Sequence, residues 1–389
     1  MKQKHVLIIT YNDYPAYEGL GMRIKNIARV ILEKGHSVTI FAPNIENKQP
    51  KDDEFQGSRI IRTNIFIPHF IRKNRIIARA WSMVLQTIIT PFIYISYLKK
   101  IPIDLILAEH IYSIPPAIVI GKFTKSKIFV DDIITVSNML GKAGFPRFVR
   151  LFTAFEKKLF KRCNDFIHTS PISNKYYKER GAVSTLYVPN GVNCDEFKPI
   201  EKESDKIIIF FNGSTYSPQN VEAAANFIKI GKKVNEASDN TIYFSLSCWP
   251  EYNLPPSVRD DIKKEKQWLS FQEGVERIAD EIGKTDITLL PYSKGHNLTG
   301  GVRLKALEYL ACGKMVISTS EGIEGIIGLV PNEHFLLAES IDDFTVIISK
   351  IIFTQYEINR ISTNARKFVL ENYDWRVTTT ELIERIERF

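Results

Sequence analysis

Cysteine is scarce and scattered in this chain: Cys163, Cys194, Cys248 and Cys312 form no CxxC pair and no spacing that suits zinc. That excludes a disulfide-stapled scaffold and predicts reduced thiols in a cytosolic protein. Long apolar runs are missing too. The longest, MVLQTIITPFIYISYL from Met83 to Leu98, is broken by Gln86, two threonines and Pro91, too short and too polar for a membrane span. The opening MKQKHVLIITYN has no small-residue cleavage site and reads as a first strand, not a signal peptide. Neither stretch that reads as the first strand of a sheet is followed by GxGxxG, which disfavours a dinucleotide-dependent oxidoreductase. Acidic residues are absent between Glu54 and Asp104. Low-complexity segments and short repeats are absent as well, and the hydrophobic and charged contents are those of a globular protein, so neither disorder nor a fibre is expected.

What is present is a two-part rhythm. At 389 residues the chain is long enough for two ordinary domains, each with its own core. KHVLIIT predicts a buried strand, Arg23 to Lys34 a helix and His36 to Pro43 a second strand, a parallel βαβ unit. Strands are expected at Ser58–Asn64, Asp104–His110, Lys127–Asp132, Asp165–Ser170 and Ser184–Asn190. A polar stretch, NCDEFKPIEKESDK, reads as the linker. The rhythm then restarts, with strands expected at Ile207–Gly213, Thr241–Trp249, Gln267–Glu273, Asp286–Tyr292 and Lys314–Ser320 and helices at Pro218–Val234 and Arg303–Cys312. The expected architecture is α/β: two Rossmann-like, doubly wound parallel-sheet domains, 1–198 and 199–370, facing a central cleft. Residues 371–389 are expected to form a helix, kinked near Tyr373 to Trp375, that returns to the first domain.

The acid-free segment carries Arg59, Arg62, Arg72, Lys73, Arg75, Arg79, Lys99 and Lys100, which equal the whole excess of basic over acidic residues. Phe66, Phe70, Ile76 and Trp81 are interleaved with them, and FPRFVRLFTAFEKKLFKR, Phe145 to Arg162, repeats the mixture at helical spacing. Arg72, Lys73, Arg75, Arg79 and Trp81 are therefore candidates for contact with anionic lipid headgroups. The competing reading makes the apolar stripes core and the cations a solvated face. Nucleic acid is a weaker rival, since no binding motif accompanies the charge.

In open α/β sheets, ligands sit beyond the carboxyl ends of strands, where helix N-termini present free N–H groups. GGVRLKALEYLACGKMVIST, from Gly300 to Thr319, lies at such a place, with a helix opening near Val302. Gly300 and Gly301 let backbone approach a ligand, while Arg303 and Lys305 add cations, a combination that predicts a diphosphate cradle. Glu308 lies one turn further along that face and can accept hydrogen bonds from vicinal ribose hydroxyls; the alternative is a plain surface glutamate. Glu109 and His110 end a strand, and His110 is a catalytic candidate for contact with the donor sugar or an acceptor hydroxyl, the alternative being a structural histidine; Asp131 and Asp132 end the next strand as candidates for acceptor hydroxyls.

These residues, with GLGMRIKNIARVILEKGHSVTIFAP, VPNGVNCDEFKP and FNGSTYSPQNVEAAANFI in the same order, resemble the nucleotide-sugar-dependent glycosyltransferases of the glycosyltransferase B fold, in particular retaining family 4, the group 1 glycosyl transferases. The resemblance implies a donor site in the second domain, with Glu308 on the ribose and the backbone of Asn212 and Gly213 near the diphosphate. It implies that Gly19 and Gly21 border the acceptor or the donor phosphates. Many members carry a glutamate eight positions before the ribose-binding one; here Gly300 stands there, and sugar recognition falls to Gly300, Gly301, Asn297 and Thr299, with His296 nearby. The Arg and Lys that usually follow the strand ending at Gly213 are replaced by Ser214, Thr215 and Tyr216, so Arg303 and Lys305 are expected to stabilise the leaving group.

The resemblance also implies retention of configuration and no metal, and the pairs Asp52-Asp53, Asp131-Asp132, Asp260-Asp261 and Asp342-Asp343 lack DxD spacing. Glu156, Asp165 and Ser170 match a further pattern and are read as structural; His5, His36, His69, His168 and His334 have no partner pattern. The expected protein transfers a sugar from a UDP- or GDP-linked donor, with no other cofactor, to a lipid-linked or cell-surface polysaccharide acceptor at the inner face of the cell membrane. The alternative is a non-catalytic, glycosyltransferase-like nucleotide- or glycan-binding subunit.

Overall fold

The computed structural model describes residues 2–389 apart from 12–13, 16–18, 45–48, 65–67, 69–74, 94, 97–100, 132–145, 202–205, 239–241, 296–299 and 352–353. Two compact units emerge: Met1–Pro189 with Thr378–Phe389, and Asn190–Val377.

The first unit runs β1 (His5–Ile9), α1 (Gly19–Glu33), β2 (Ser37–Asn44), β3 (Asp52–Phe55), β4 (Ser58–Asn64), α2 (Arg75–Ile93), β5 (Leu105–Glu109), α3 (Ile114–Thr124), β6 (Lys127–Asp131), α4 (Pro146–Phe160), β7 (Asp165–His168), α5 (Pro171–Glu179) and β8 (Thr185–Tyr187). The sheet order is β3-β4-β2-β1-β5-β6-β7-β8. Strands such as HVLII and LILAE are buried along almost their whole length and mostly apolar because both faces of a parallel sheet are covered. β3 is the exception: its sequence DDEF forms an antiparallel edge beside β4, with Asp52 paired to Arg59 at 2.6 Å. β1 pairs with β2 on one side and β5 on the other, so the strand order reverses at the β1/β5 boundary, the usual crevice of a doubly wound sheet.

α1 starts at Gly19, four residues before the expected start, so Gly19 and Gly21 form its first turn and not a loop ahead of it. Glu156 on α4 is fully buried and receives Arg180 at 2.6 Å. Asp165 opens β7, and Ser170 caps α5 through a reciprocal pair of hydrogen bonds with Ser173. Among the described residues, no helix is long and apolar enough to cross a membrane.

The second unit runs β9 (Ile208–Ser214), α6 (Pro218–Glu236), β10 (Tyr243–Trp249), α7 (Pro256–Lys264), β11 (Leu269–Gln272), α8 (Ile278–Gly283), β12 (Ile287–Leu290), α9 (Leu304–Ala311), β13 (Met315–Ser318), β14 (Leu336–Leu337), α10 (Ile341–Ile351), α11 (Gln355–Asn372) and α12 (Trp375–Thr378). Its all-parallel sheet has the order β11-β10-β9-β12-β13-β14, which reverses at β9/β12. The units divide at Pro189 and Asn190, ahead of the expected boundary at 198, because the start of the expected linker is tied into the second unit. There Val192 donates to Tyr373 O at 2.8 Å and accepts from Trp375 N at 3.1 Å. The return to the first unit begins at Thr378 where 371 was expected. α13 (Thr380–Glu387) brings Arg385 to 3.3 Å from Asp165, and Phe389 packs edge-on against Phe129.

Candidate functional site

At the β9/β12 reversal, the carboxyl end of β9 is clasped by side chains from α6 and α9. Lys305, in the first turn of α9, reaches back so that Nζ donates to Asn212 O at 2.6 Å and Asn220 Oδ1 at 3.1 Å. Tyr309, one turn on, donates to Asn212 Oδ1 at 2.6 Å and accepts from Asn212 N at 3.0 Å. Asn220 on α6 completes the clasp: Tyr292 donates to its Oδ1 at 2.7 Å, and its Nδ2 donates to Ser214 O at 2.9 Å. A Cβ on Gly213 would lie 3.0 Å from Asn220 and 3.1 Å from Lys305 Nζ, so glycine is what lets the cation sit against the strand end. Both acceptors of Lys305 are neutral, and no carboxylate pairs with it among the described residues. An unneutralised ammonium beside a strand end and a helix N-terminus is an anion site by its electrostatics.

Glu308 follows Lys305 by one turn. Part of its surface is open to solvent, and its side chain makes no hydrogen bond among the described residues. Desolvation pushes its carboxyl up to about 7, with Lys305 pulling it down and Glu196 adding to the rise. An accessible carboxylate with vacant lone pairs can take two donors from a diol.

Arg303 departs from expectation. It is the N-cap residue of α9, and its guanidinium donates from Nε to Glu321 O at 3.0 Å, from Nη2 to Glu321 Oε1 at 3.0 Å and from Nη1 to Gln219 at 2.9 Å, while covering the Tyr292 ring. Glu321 is buried and also receives Gly295 N at 2.9 Å. The charge of Arg303 is thus neutralised, and it ties the loop before α9 to the turn after β13. Among the described residues of the clasp, Lys305 is the cation that no carboxylate pairs with. Gly300 has φ +62, and a Cβ on Gly325 would strike Gly300 O at 2.9 Å and Gly301 C at 2.8 Å, so the two glycine turns are pressed together. The Val302 side chain is buried in the core. His296, Asn297 and Thr299 lie outside the described residues.

In the first unit, the β1/β5 reversal gathers Thr10, Glu109 and His110. Thr10 donates its hydroxyl to Glu109 Oε2, and burial pushes the Glu109 carboxyl up to about 8, with Thr10 opposing the rise and Asp131 adding to it. Glu109 Oε1 is buried without a hydrogen-bond partner among the described residues. His110 has φ 68 and ψ 157, a region that is essentially glycine's, and its ring is stacked on Tyr112 at 4.6 Å and tilted against Tyr11 at 4.7 Å. A buried non-glycine residue held in that region costs about 1–3 kcal/mol, which marks it as a functional candidate.

Asp131 is a correction. Its carboxylate is taken up by Arg23, with Nε at 2.8 Å from Oδ2 and Nη2 at 3.0 Å from Oδ1, both side chains 1% exposed. It positions α1 against β6 and is not open to an acceptor. Asp132, Arg72 and Lys73 lie outside the described residues; Arg75 and Arg79 fall on α2, and Trp81 is 39% exposed there. Among the described residues, no group of His, Cys, Asp or Glu side chains could hold a metal ion. Sequence reasoning missed Asn220, Tyr309, Glu321 and Thr10. Tyr309 alone had a local signal, lying four residues after Lys305 and so on the same helix face.

With this geometry in place, the comparisons with known proteins divide along the units. The family described as Glycosyltransferase Family 4 matches residues 17–196, and the family described as Glycosyl transferase-like matches residues 247–384. Among solved structures, sucrose-phosphate synthase from Thermosynechococcus elongatus superposes with a TM-score of 0.73 at 15% identity, covering 99% of each chain. A glycosyltransferase from Rickettsia africae gives 0.70 at 14%, covering 100% of this chain and 99% of that one. Anabaena HepE, in complex with UDP and glucose, gives 0.65 at 12%, with 99% of each chain covered. No curated protein matches the sequence.

Proposed function

Because this chain belongs to the group 1 glycosyltransferases and has the glycosyltransferase B fold, we propose that it transfers a sugar from a nucleoside-diphosphate sugar, UDP- or GDP-linked, to a lipid-linked or cell-surface polysaccharide acceptor. The observation that carries the donor half is the pairing of Lys305, unneutralised at the end of β9, with the vacant carboxylate of Glu308 one helical turn away. Lys305 and the backbone at Gly213 take the diphosphate, and Glu308 takes the ribose. As the bond to the departing phosphate oxygen breaks, negative charge grows there, and Lys305 with the N-terminus of α9 stabilises it without reorganising. His110 is assigned to a sugar or acceptor hydroxyl. Retained configuration and independence from metal belong to the same proposal, as does residence at the cytoplasmic membrane face. The bound UDP and glucose of HepE support a nucleotide-sugar donor.

Supplied with UDP- and GDP-sugars and a lipid-linked glycan extract, the purified protein should release nucleoside diphosphate, and Lys305→Met should slow release roughly 10²–10³-fold. The competing reading, a non-catalytic binding subunit, is favoured by Gly300 and by the neutralisation of Arg303. It takes over if no donor is turned over. Replacing Arg72, Lys73, Arg75 and Arg79 together by glutamine is expected to weaken binding to anionic vesicles by about 1 kcal/mol per charge while donor binding stays intact. Unchanged vesicle binding would remove the membrane claim.

A further inference from the structure

α2 carries an apolar stripe on its outer face. Trp81, Val84, Ile88 and Phe92, spaced as one helix face, are 39%, 57%, 55% and 65% exposed. Beside them lies a groove of about 340 Å³ walled by Val84 and Ile88 of α2, Ile111 and Tyr112 of the turn after β5, and Phe152 and Phe155 of α4. Nothing in that lining is charged. We propose that this groove seats the hydrocarbon chain of an amphiphilic acceptor whose head is an anionic phosphate, a proposal that rests on the glycosyltransferase reading above and narrows its acceptor class.

Two observations select this occupant. The first is continuity with the candidate centre: Tyr112, in the groove wall, stacks on His110 at 4.6 Å and 10° between ring planes. α2 is fixed to the same place because Gln86, buried on its inner face, donates to Thr10 O at the end of β1. A chain lying in the groove therefore has its head beside the strand ends that carry His110.

The second is charge. Arg150, Lys157 and Lys158 are exposed on α4, whose acid, Glu156, is buried against Arg180, so the exposed charges on that helix among the described residues are all positive. Leu151, Phe155 and Lys158 fall on one face, apolar side chains next to a cation, which suits a chain followed by a phosphate. Taking a methylene to fill about the volume of a water, ~30 Å³, the groove holds about ten carbons.

The test uses monomeric n-alkyl phosphates, from hexyl to hexadecyl, titrated calorimetrically into the full-length protein. Burial of each methylene is expected to tighten Kd about fourfold, with the gain ending near ten carbons. Ile88→Glu and Phe155→Glu, both at exposed positions, should flatten that dependence, whereas Phe123→Glu, on an exposed apolar residue outside the groove, should not. A Kd independent of chain length, or a slope unchanged in both groove variants, overturns the proposal. If vesicles of phosphatidylglycerol and phosphatidylcholine bind and lose binding in Ile88→Glu while monomeric alkyl phosphates show no slope, the stripe serves a membrane surface and the single-chain site is wrong. Release of nucleoside diphosphate is followed in the same preparations: a slope without turnover strikes the glycosyltransferase reading alone, and turnover without a slope strikes the groove alone.

Discussion

Replacing Asp131 with alanine is expected to destabilise the first unit by about 3–5 kcal/mol, because it removes the carboxylate paired with the buried guanidinium of Arg23. Arg23 is 1% exposed and donates to both Asp131 oxygens and to Val188 O at 3.0 Å. For a unit of this size the loss corresponds to a fall of roughly 6–20 °C in its melting temperature. The double variant Arg23→Met with Asp131→Leu removes both charges and should recover most of that loss, since exchanging a buried pair for apolar groups of similar size is often neutral. A thermal melt separates the cases. A loss below 1 kcal/mol combined with a large fall in turnover would return Asp131 to the acceptor role that its place at a strand end suggested.

Glu308→Gln should produce two effects of opposite direction. The folded-state carboxyl, raised from 4.5 to about 7, is ionised less readily than in the unfolded chain. Between those values the folded state binds the extra proton, so stability falls as pH rises through the window and stays lower above 7. Removing the ionisation should therefore raise the melting temperature above pH 7 and leave it unchanged below about 4.5. The gain is at most ~3 kcal/mol and less after allowing for the solvent that reaches Glu308. Nucleotide affinity should move the other way. If ribose hydroxyls donate to the carboxylate, wild-type affinity drops toward tenfold per pH unit below about 7, while the glutamine variant binds at least tenfold more weakly at pH 8 with little pH dependence. A variant that is more stable and binds less is the mark of a residue kept for a ligand. Equal affinity in both proteins would make Glu308 a solvated surface acid.

Most strands were legible because they carry a short apolar run, and their ends fall within a few residues of the expected ones. β3 was not, since DDEF has no apolar period and is a strand only through pairing with β4. Nor was β14, whose two residues carry too little pattern. The start of α1 at Gly19 ran against the low helix propensity of glycine. Glu308 could be singled out because α9 carries it as its one acid behind a lysine at helical spacing. The difference between Arg303 and Lys305 could not, because it is made by Glu321, 18 residues from Arg303, and by the neutral acceptors Asn212 and Asn220. Asp131 misled for the same reason: its partner is 108 residues away in sequence. Position at a strand end shows which residues stand near a crevice, and long-range pairing decides which of them keep a free charge.

The central claim is that the carboxyl end of β9, with Lys305 and Glu308, binds a nucleoside diphosphate. Calorimetric titration of the purified protein with UDP, GDP, CDP and ADP and their common sugar conjugates, repeated on Lys305→Met and Glu308→Ala, tests it most directly. Selective binding of one nucleotide, weakened at least tenfold in each variant, is the predicted result. Binding that survives both substitutions, or no binding by any nucleotide, would contradict it.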